Sequence, residues 1–124
     1  MMDRTTLQDS LYPECPIRNI LARFGDKWSL LALYTLAQNG TMRFGELRRA
    51  LPDISQKMLA TTLRTLTEDG LVVRRLYPEI PPRTEYSLTE RARTLLPHLD
   101  ALIGWALAHG AAILRDRAAA RGGD

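Results

Sequence analysis

Gln56, Lys57, Thr61 and Arg64 fall on one side of a helical stretch that begins just after Ser55. A face carrying an amide, a hydroxyl and two cations, with the small Ala60 among them, can approach a nucleic-acid groove closely. Such side chains hydrogen-bond base edges and pair with phosphates. Gln56, Lys57, Thr61 and Arg64 are therefore candidates for base reading, with Ser55 at the helix start. Arg74, Arg75 and Arg83 follow in a second cationic group, and Arg43, Arg48 and Arg49 precede the helix as candidate phosphate contacts. Glu68, further along the helix, repels phosphate and marks the limit of contact.

Catalytic chemistry finds no comparable set. Ser29, Ser55, His98 and Asp100 are hydrolase-like residue types, but no nucleophile motif joins them. His98 and Asp100 do not share a helix face, and Gly25-Asp-Lys-Trp28 is no phosphate loop. No catalytic residue, cofactor or metal ligand is assigned. One cysteine excludes an intrachain disulfide, and with two histidines it argues against a structural zinc site. Cys15 is a candidate redox sensor, because a helix N-terminus and the neighbouring Arg18 both favour a thiolate. The alternative is a small buried side chain. Trp28, Tyr34 and Trp105 are candidates for an effector pocket, with core or dimer packing the favoured reading.

The elements that must position these residues are marked by caps and stops. Asp26 is placed to cap a helix that Gly40 stops at Asn39, and its mostly apolar sequence requires neighbours on more than one side. Phe44, Leu47 and Leu51 give a short helix ending before Pro52. Ser55 caps the next helix, which runs to about Asp69 and Gly70 and turns Leu59, Leu63 and Leu66 inward. Then the period changes. Residues 71–77 and 84–88 read as two strands joined by the stiff Pro78-Glu-Ile-Pro-Pro82, a hairpin with a protruding tip. A helix-turn-helix followed at once by such a hairpin is a winged helix.

Thr89 is placed to cap a C-terminal helical region, which Pro97 should kink or divide and which Gly110 could end or let pack closely. Its apolar stripe exceeds what a minimal winged helix can bury. Leu95, Leu99, Leu102, Ile103, Ala106 and Leu107, with Ile17 and Ile20 of the N-terminal helix, are the candidate dimer interface. The expected organisation is a loosely held segment over 1–14, a winged-helix domain with dimerisation helices over 15–110, and a helical extension with a fraying tail over 111–124. The fold class is α+β.

Length and composition agree with this order. A chain of 124 residues is one small domain, and 45% hydrophobic with 25% charged residues excludes disorder. No apolar run spans a bilayer and no signal-peptide core opens the chain, so no membrane partner is assigned and the cytoplasm is the expected compartment. A net charge of +3 permits nucleic-acid binding, whereas 6% aromatic residues do not favour a single-strand stacking platform.

The motifs carry a resemblance. Cys15-Pro-Ile, Gly25-Asp-Lys-Trp28, Arg43-Phe-Gly-Glu-Leu47, Ile54-Ser-Gln-Lys-Met-Leu59, Leu63-Arg-Thr-Leu-Thr-Glu-Asp-Gly-Leu71 and Tyr77-Pro-Glu-Ile-Pro-Pro-Arg-Thr-Glu-Tyr86 occur in that order, followed by Ser87-Leu-Thr-Glu90 and Trp105. Together they resemble the HxlR-type family of MarR-like winged helix-turn-helix regulators, from Cys15 to about Gly110. Asp26 and Ala92 stand where that family often has Gly. The resemblance implies a homodimeric transcriptional regulator of double-stranded DNA, dimerising through N- and C-terminal helices. It also implies electrophile or oxidant sensing in some members, at the position matching Cys15. The expected function is repression from a near-palindromic operator, with Cys15 or a small-molecule effector as candidate inputs. The competing readings are a ligand-responsive activator and a non-enzymatic protein-interaction module.

Overall fold

The structure is a computed structural model that describes residues 20–22 and 24–122. Helix α1 (Lys27–Asn39) starts where Asp26 Oδ1 accepts the Trp28 N–H at 3.0 Å. It stops at Gly40, whose φ of 75° suits a residue without a Cβ, and whose N–H donates to the Leu36 carbonyl at 2.8 Å. Ala32, Leu33 and Leu36 of α1 are buried at the centre of the protomer.

A short strand β1 (Met42–Arg43) leads into α2 (Phe44–Ala50), and a turn through Pro52 and Asp53 leads into α3 (Gln56–Glu68). Two longer strands follow, β2 (Val72–Tyr77) and β3 (Arg83–Leu88). They pair antiparallel from Val72–Leu88 to Tyr77–Arg83. β1 pairs with the other edge of β3, Met42 opposite Tyr86, giving a three-stranded sheet in the order β1-β3-β2. The sequence reading identified the hairpin but not β1, which exists only through pairing with a distant strand. The fold is the expected α+β winged helix-turn-helix with flanking helices.

The core forms where α1, α2 and α3 meet the sheet. Leu33, Leu36, Leu47, Leu59, Leu63 and Leu66 are all essentially inaccessible. Full burial of each such side chain is worth about 1.5–3 kcal/mol. The exit of α3 is tied down on three sides. Gly70 turns the chain at φ 74°, and the Leu71 N–H donates to the Leu66 carbonyl at 3.0 Å. Thr89 Oγ1 donates to the Gly70 carbonyl at 2.7 Å and accepts the Ala92 N–H at 3.1 Å, so one hydroxyl both caps the last helix and fastens it to α3. Arg91 Nη1 donates to the Asp69 carbonyl at 3.1 Å.

Helix α4 (Glu90–Gly122) is longer than the sequence suggests. It is one helix of 33 residues that is neither divided at Pro97 nor ended at Gly110. Pro97 removes a single helical N–H, and both it and Arg93 four residues earlier are exposed, so solvent can serve the freed carbonyl. Beyond Leu114, alanines and arginines with high helix propensity carry the helix on to Gly122. No helix among the described residues is long and apolar enough to cross a membrane.

Candidate nucleic-acid interface

The interface is built on α3. Ser55 Oγ accepts the Met58 N–H at 3.0 Å and fixes the helix start. Burial of Leu59, Leu63 and Leu66 then dictates which side chains face out. Gln56, Lys57, Ala60 and Arg64 are exposed, and Thr61 is half-buried beside them. The structure thus brings all four candidate base readers to one open surface. Arg64 pairs loosely with Glu68, Nε to Oε1 at 4.0 Å, on a solvent-exposed stretch of helix. Thr62 is the exception to the division of faces. It is buried with an Oγ1 that has no hydrogen-bond partner.

Helix α2 supplies the neighbouring cations. Arg43 is exposed just before it, where the Arg43 N–H donates to Glu46 Oε1 at 2.7 Å. Arg48 and Arg49 are exposed in the last turn, where a positive charge also complements the helix dipole.

The wing separates cations that the sequence reading grouped together. Successive residues of a strand point to opposite sheet faces, so Arg74 and Arg75 diverge. Arg75 stands opposite Glu85 on β3. A side-chain hydrogen bond to Tyr77, with the Glu85 carboxylate adding to it, raises its guanidinium above the ordinary arginine range. Arg83 lies 4.0 Å over the Tyr77 ring, with Nη2 3.2 Å from Glu79 and Nε 3.5 Å from Glu85. That Nε is buried and makes no hydrogen bond. Arg75, Tyr77, Arg83 and Glu85 share one face, and with Glu79 included its two arginines are balanced by two carboxylates. Arg74 lies on the other, beside Tyr86 and across a cleft from Arg64. Beyond them the tip presents Ile80 fully to solvent.

A larger groove of about 710 Å³ lies beyond the C-terminal end of α3, against α4. Ile20, Phe24, Leu71 and Leu95 give it apolar walls, and Asp69, Arg91, Thr94 and His98 its polar ones. Sequence reasoning placed no role on Arg91, whose bond to the Asp69 carbonyl spans elements far apart in the chain. Of the aromatic candidates, Trp28 and Tyr34 pack against the core, and Trp105 is exposed and stacked on His109 at 4.7 Å.

The candidate dimer residues divide. Leu99 is buried within the protomer, and Leu95 and Ile103 pack half-buried against the same core. Leu102, Ala106 and Leu107 are exposed on α4, as are Trp105, for which core or dimer packing is the favoured sequence reading, and Leu114, which has no interface role in that reading. Ile20 is exposed near the start of the described chain. Cys15 and Ile17 lie outside the described residues. Among the described residues no group of three or more His, Cys, Asp and Glu side chains is placed to hold a metal ion.

Known proteins share this arrangement. The profile of the HxlR-like helix-turn-helix family matches residues 23–113. An uncharacterized HTH-type transcriptional regulator of Methanothermobacter thermautotrophicus is 45% identical over 96 residues, which is 77% of this chain and 72% of that protein. The reduced form of the redox regulator HypR superposes with a TM-score of 0.73 at 38% identity, over 81% of this chain and 98% of HypR. The reduced form of the transcriptional regulator YodB from Bacillus subtilis superposes with a TM-score of 0.65 at 30% identity, over 86% of this chain and 92% of YodB. With its open α3 face, its wing and these matches, the chain belongs to the HxlR-like helix-turn-helix family, a MarR-like group of non-enzymatic, DNA-binding transcriptional regulators.

Proposed function

We propose that the protein is a homodimeric repressor that occupies a near-palindromic operator in double-stranded DNA, in the cytoplasm. The observation that carries this reading is the split of α3, whose leucines are all buried in the protomer while Gln56, Lys57 and Arg64 stand open beside the exposed Met58. In this reading α3 enters the major groove. Gln56, Lys57, Thr61 and Arg64 meet base edges or the phosphates beside them, and Ser55 lies at the groove's edge. Arg43, Arg48, Arg49 and Arg74 hold the flanking backbone. Arg83, already engaged within the wing by Glu79, Glu85 and Tyr77, acts chiefly by keeping it in shape, and the exposed Arg75 stands on that same face, away from the α3 side.

The exposed Leu102, Trp105, Leu107 and Leu114 supply the apolar surface for a second copy. A two-fold pair sets the recognition helices about 34–36 Å apart, one turn of duplex. Occupying such a site blocks polymerase without further machinery, which favours repression over activation. Footprinting on the region upstream of the protein's own gene and on a genomic promoter library tests the reading. Protection of two symmetric half-sites is expected. A folded protein that protects no promoter overturns operator binding.

The similarity to the redox regulator HypR favours Cys15 as the input. As the sole cysteine it can pair only with a partner subunit or a small thiol. Operator affinity is expected to change on mild thiol oxidation of the wild type and to stay constant in Cys15→Ser. Equal affinity of oxidised and reduced wild type removes the switch. The groove beyond the end of α3 suits a small-molecule effector instead, since a ligand that draws Arg91 from the Asp69 carbonyl loosens the end of the recognition helix.

A further inference from the structure

We propose that the cleft between α3 and β2 seats one backbone phosphate of duplex DNA, gripped jointly by Arg64 and Arg74, with Glu68 as its placeholder in the free protein. The proposal rests on the DNA-binding reading above and assigns a division of labour within it.

The cleft has a volume of about 440 Å³ and is lined by Ala60, Arg64, Thr67, Glu68, Arg74 and Tyr86. Ala60 contributes only a methyl group, which keeps the space open. Thr67 is no competing donor, because its hydroxyl is committed to the Leu63 carbonyl at 2.7 Å. Tyr86 is buried and forms a firm wall. The charged groups that remain are two guanidiniums on facing elements and one carboxylate. Two positive charges against one negative leave the cleft one unit positive, the complement of a single phosphodiester.

The guanidinium fork matches phosphate oxygens, and a phosphate between the two arginines relieves their mutual repulsion. Glu68 holds Arg64 only at 4.0 Å, with both side chains more than half exposed, so the pair is easily exchanged. Arg75 cannot share the seat, because it leaves β2 from the opposite face, across from Glu85. Adjacent arginines of one strand thus take different roles, Arg74 facing the seat and Arg75 facing away from it.

The salt dependence of binding to a short mixed-sequence duplex separates shared from independent contacts, since each neutralised phosphate contributes about 0.9 to the slope. Arg64→Ala and Arg74→Ala are each expected to lower the slope by about 0.9 per protomer, and the double variant by no more than either alone. Arg75→Ala leaves the slope unchanged. Glu68→Gln tightens binding about twofold per protomer, the scale of an exposed ion pair. All four positions are exposed, and unchanged thermal unfolding verifies that the fold is intact. A double variant that loses about 1.8 per protomer assigns two separate phosphates and overturns the shared seat. So does a slope insensitive to both arginines, while DNA binding itself still stands. A Glu68→Gln variant that binds no tighter overturns the placeholder role. Wild-type protein that binds no duplex removes this proposal together with the reading it rests on.

Discussion

Helices α3 and α4 solve opposite problems with the same residue types. In α3 every leucine is buried inside the protomer, and the exposed remainder is largely polar and cationic. In α4 only Ala92 and Leu99 are buried, and Leu102, Trp105, Leu107 and Leu114 stand in water. Burial of apolar surface drives association, whereas a cationic face gains by meeting phosphate. The two helices therefore call for different partners. The unmet surface of α3 fits a polyanion, and that of α4 fits apolar protein. The lesson is that an exposed face is informative only relative to what its own helix has already buried.

The largest effect should come from charging the open face of α4. Leu107 is 80% exposed, and full burial of a leucine against a second copy is worth about 1.5–3 kcal/mol per protomer. Leu107→Asp is expected to weaken a dimer at least about a hundredfold. Sedimentation across a concentration series measures this, and a dimer as tight as wild type would remove that face from the interface. In α3 the equivalent disruption strikes the fold instead. Leu63→Ala, at a site 1% exposed, should cost about 2–5 kcal/mol in denaturant unfolding. A loss well below that range would mean that the inner face of α3 is loosely packed.

On the outer face of α3, Lys57→Ala should leave unfolding unchanged and reduce affinity for a selected duplex by about 1–3 kcal/mol. Titration by fluorescence anisotropy would show it, and an unaltered affinity would place Lys57 outside the contact. Smallest is Thr62→Val. The buried Thr62 hydroxyl lacks a partner, so a methyl of similar shape should stabilise the protein by about 1 kcal/mol. A destabilised variant would show that the hydroxyl is satisfied after all.

Much of the fold was legible because its boundaries are local. Asp26, Gly40, Ser55, Gly70 and Thr89 act as caps and stops through bonds to residues close in sequence, and each does so where its type predicts. The polar face of α3 was legible for the same reason, as helical spacing separates it from Leu59, Leu63 and Leu66. What was missed depends on distant contacts. β1 exists because Met42 meets Tyr86, and Arg91 matters because it reaches the Asp69 carbonyl. Pro97 and Gly110 are local helix-breaking signals, yet α4 runs through both. The cationic wing was the subtler case. Strand alternation already parts Arg74 from Arg75, but the engagement of Arg83 with Glu79, Glu85 and Tyr77 appears only in three dimensions.

Selection of bound duplexes from a random-sequence pool by the wild-type protein puts the division between the two helices to a direct test. Enrichment of a two-fold symmetric sequence, with half-sites about 10 bp apart centre to centre, is the predicted outcome. It requires both the open face of α3 on DNA and the open face of α4 on a second copy. A folded protein that enriches no sequence, or only a single unpaired half-site, would contradict it.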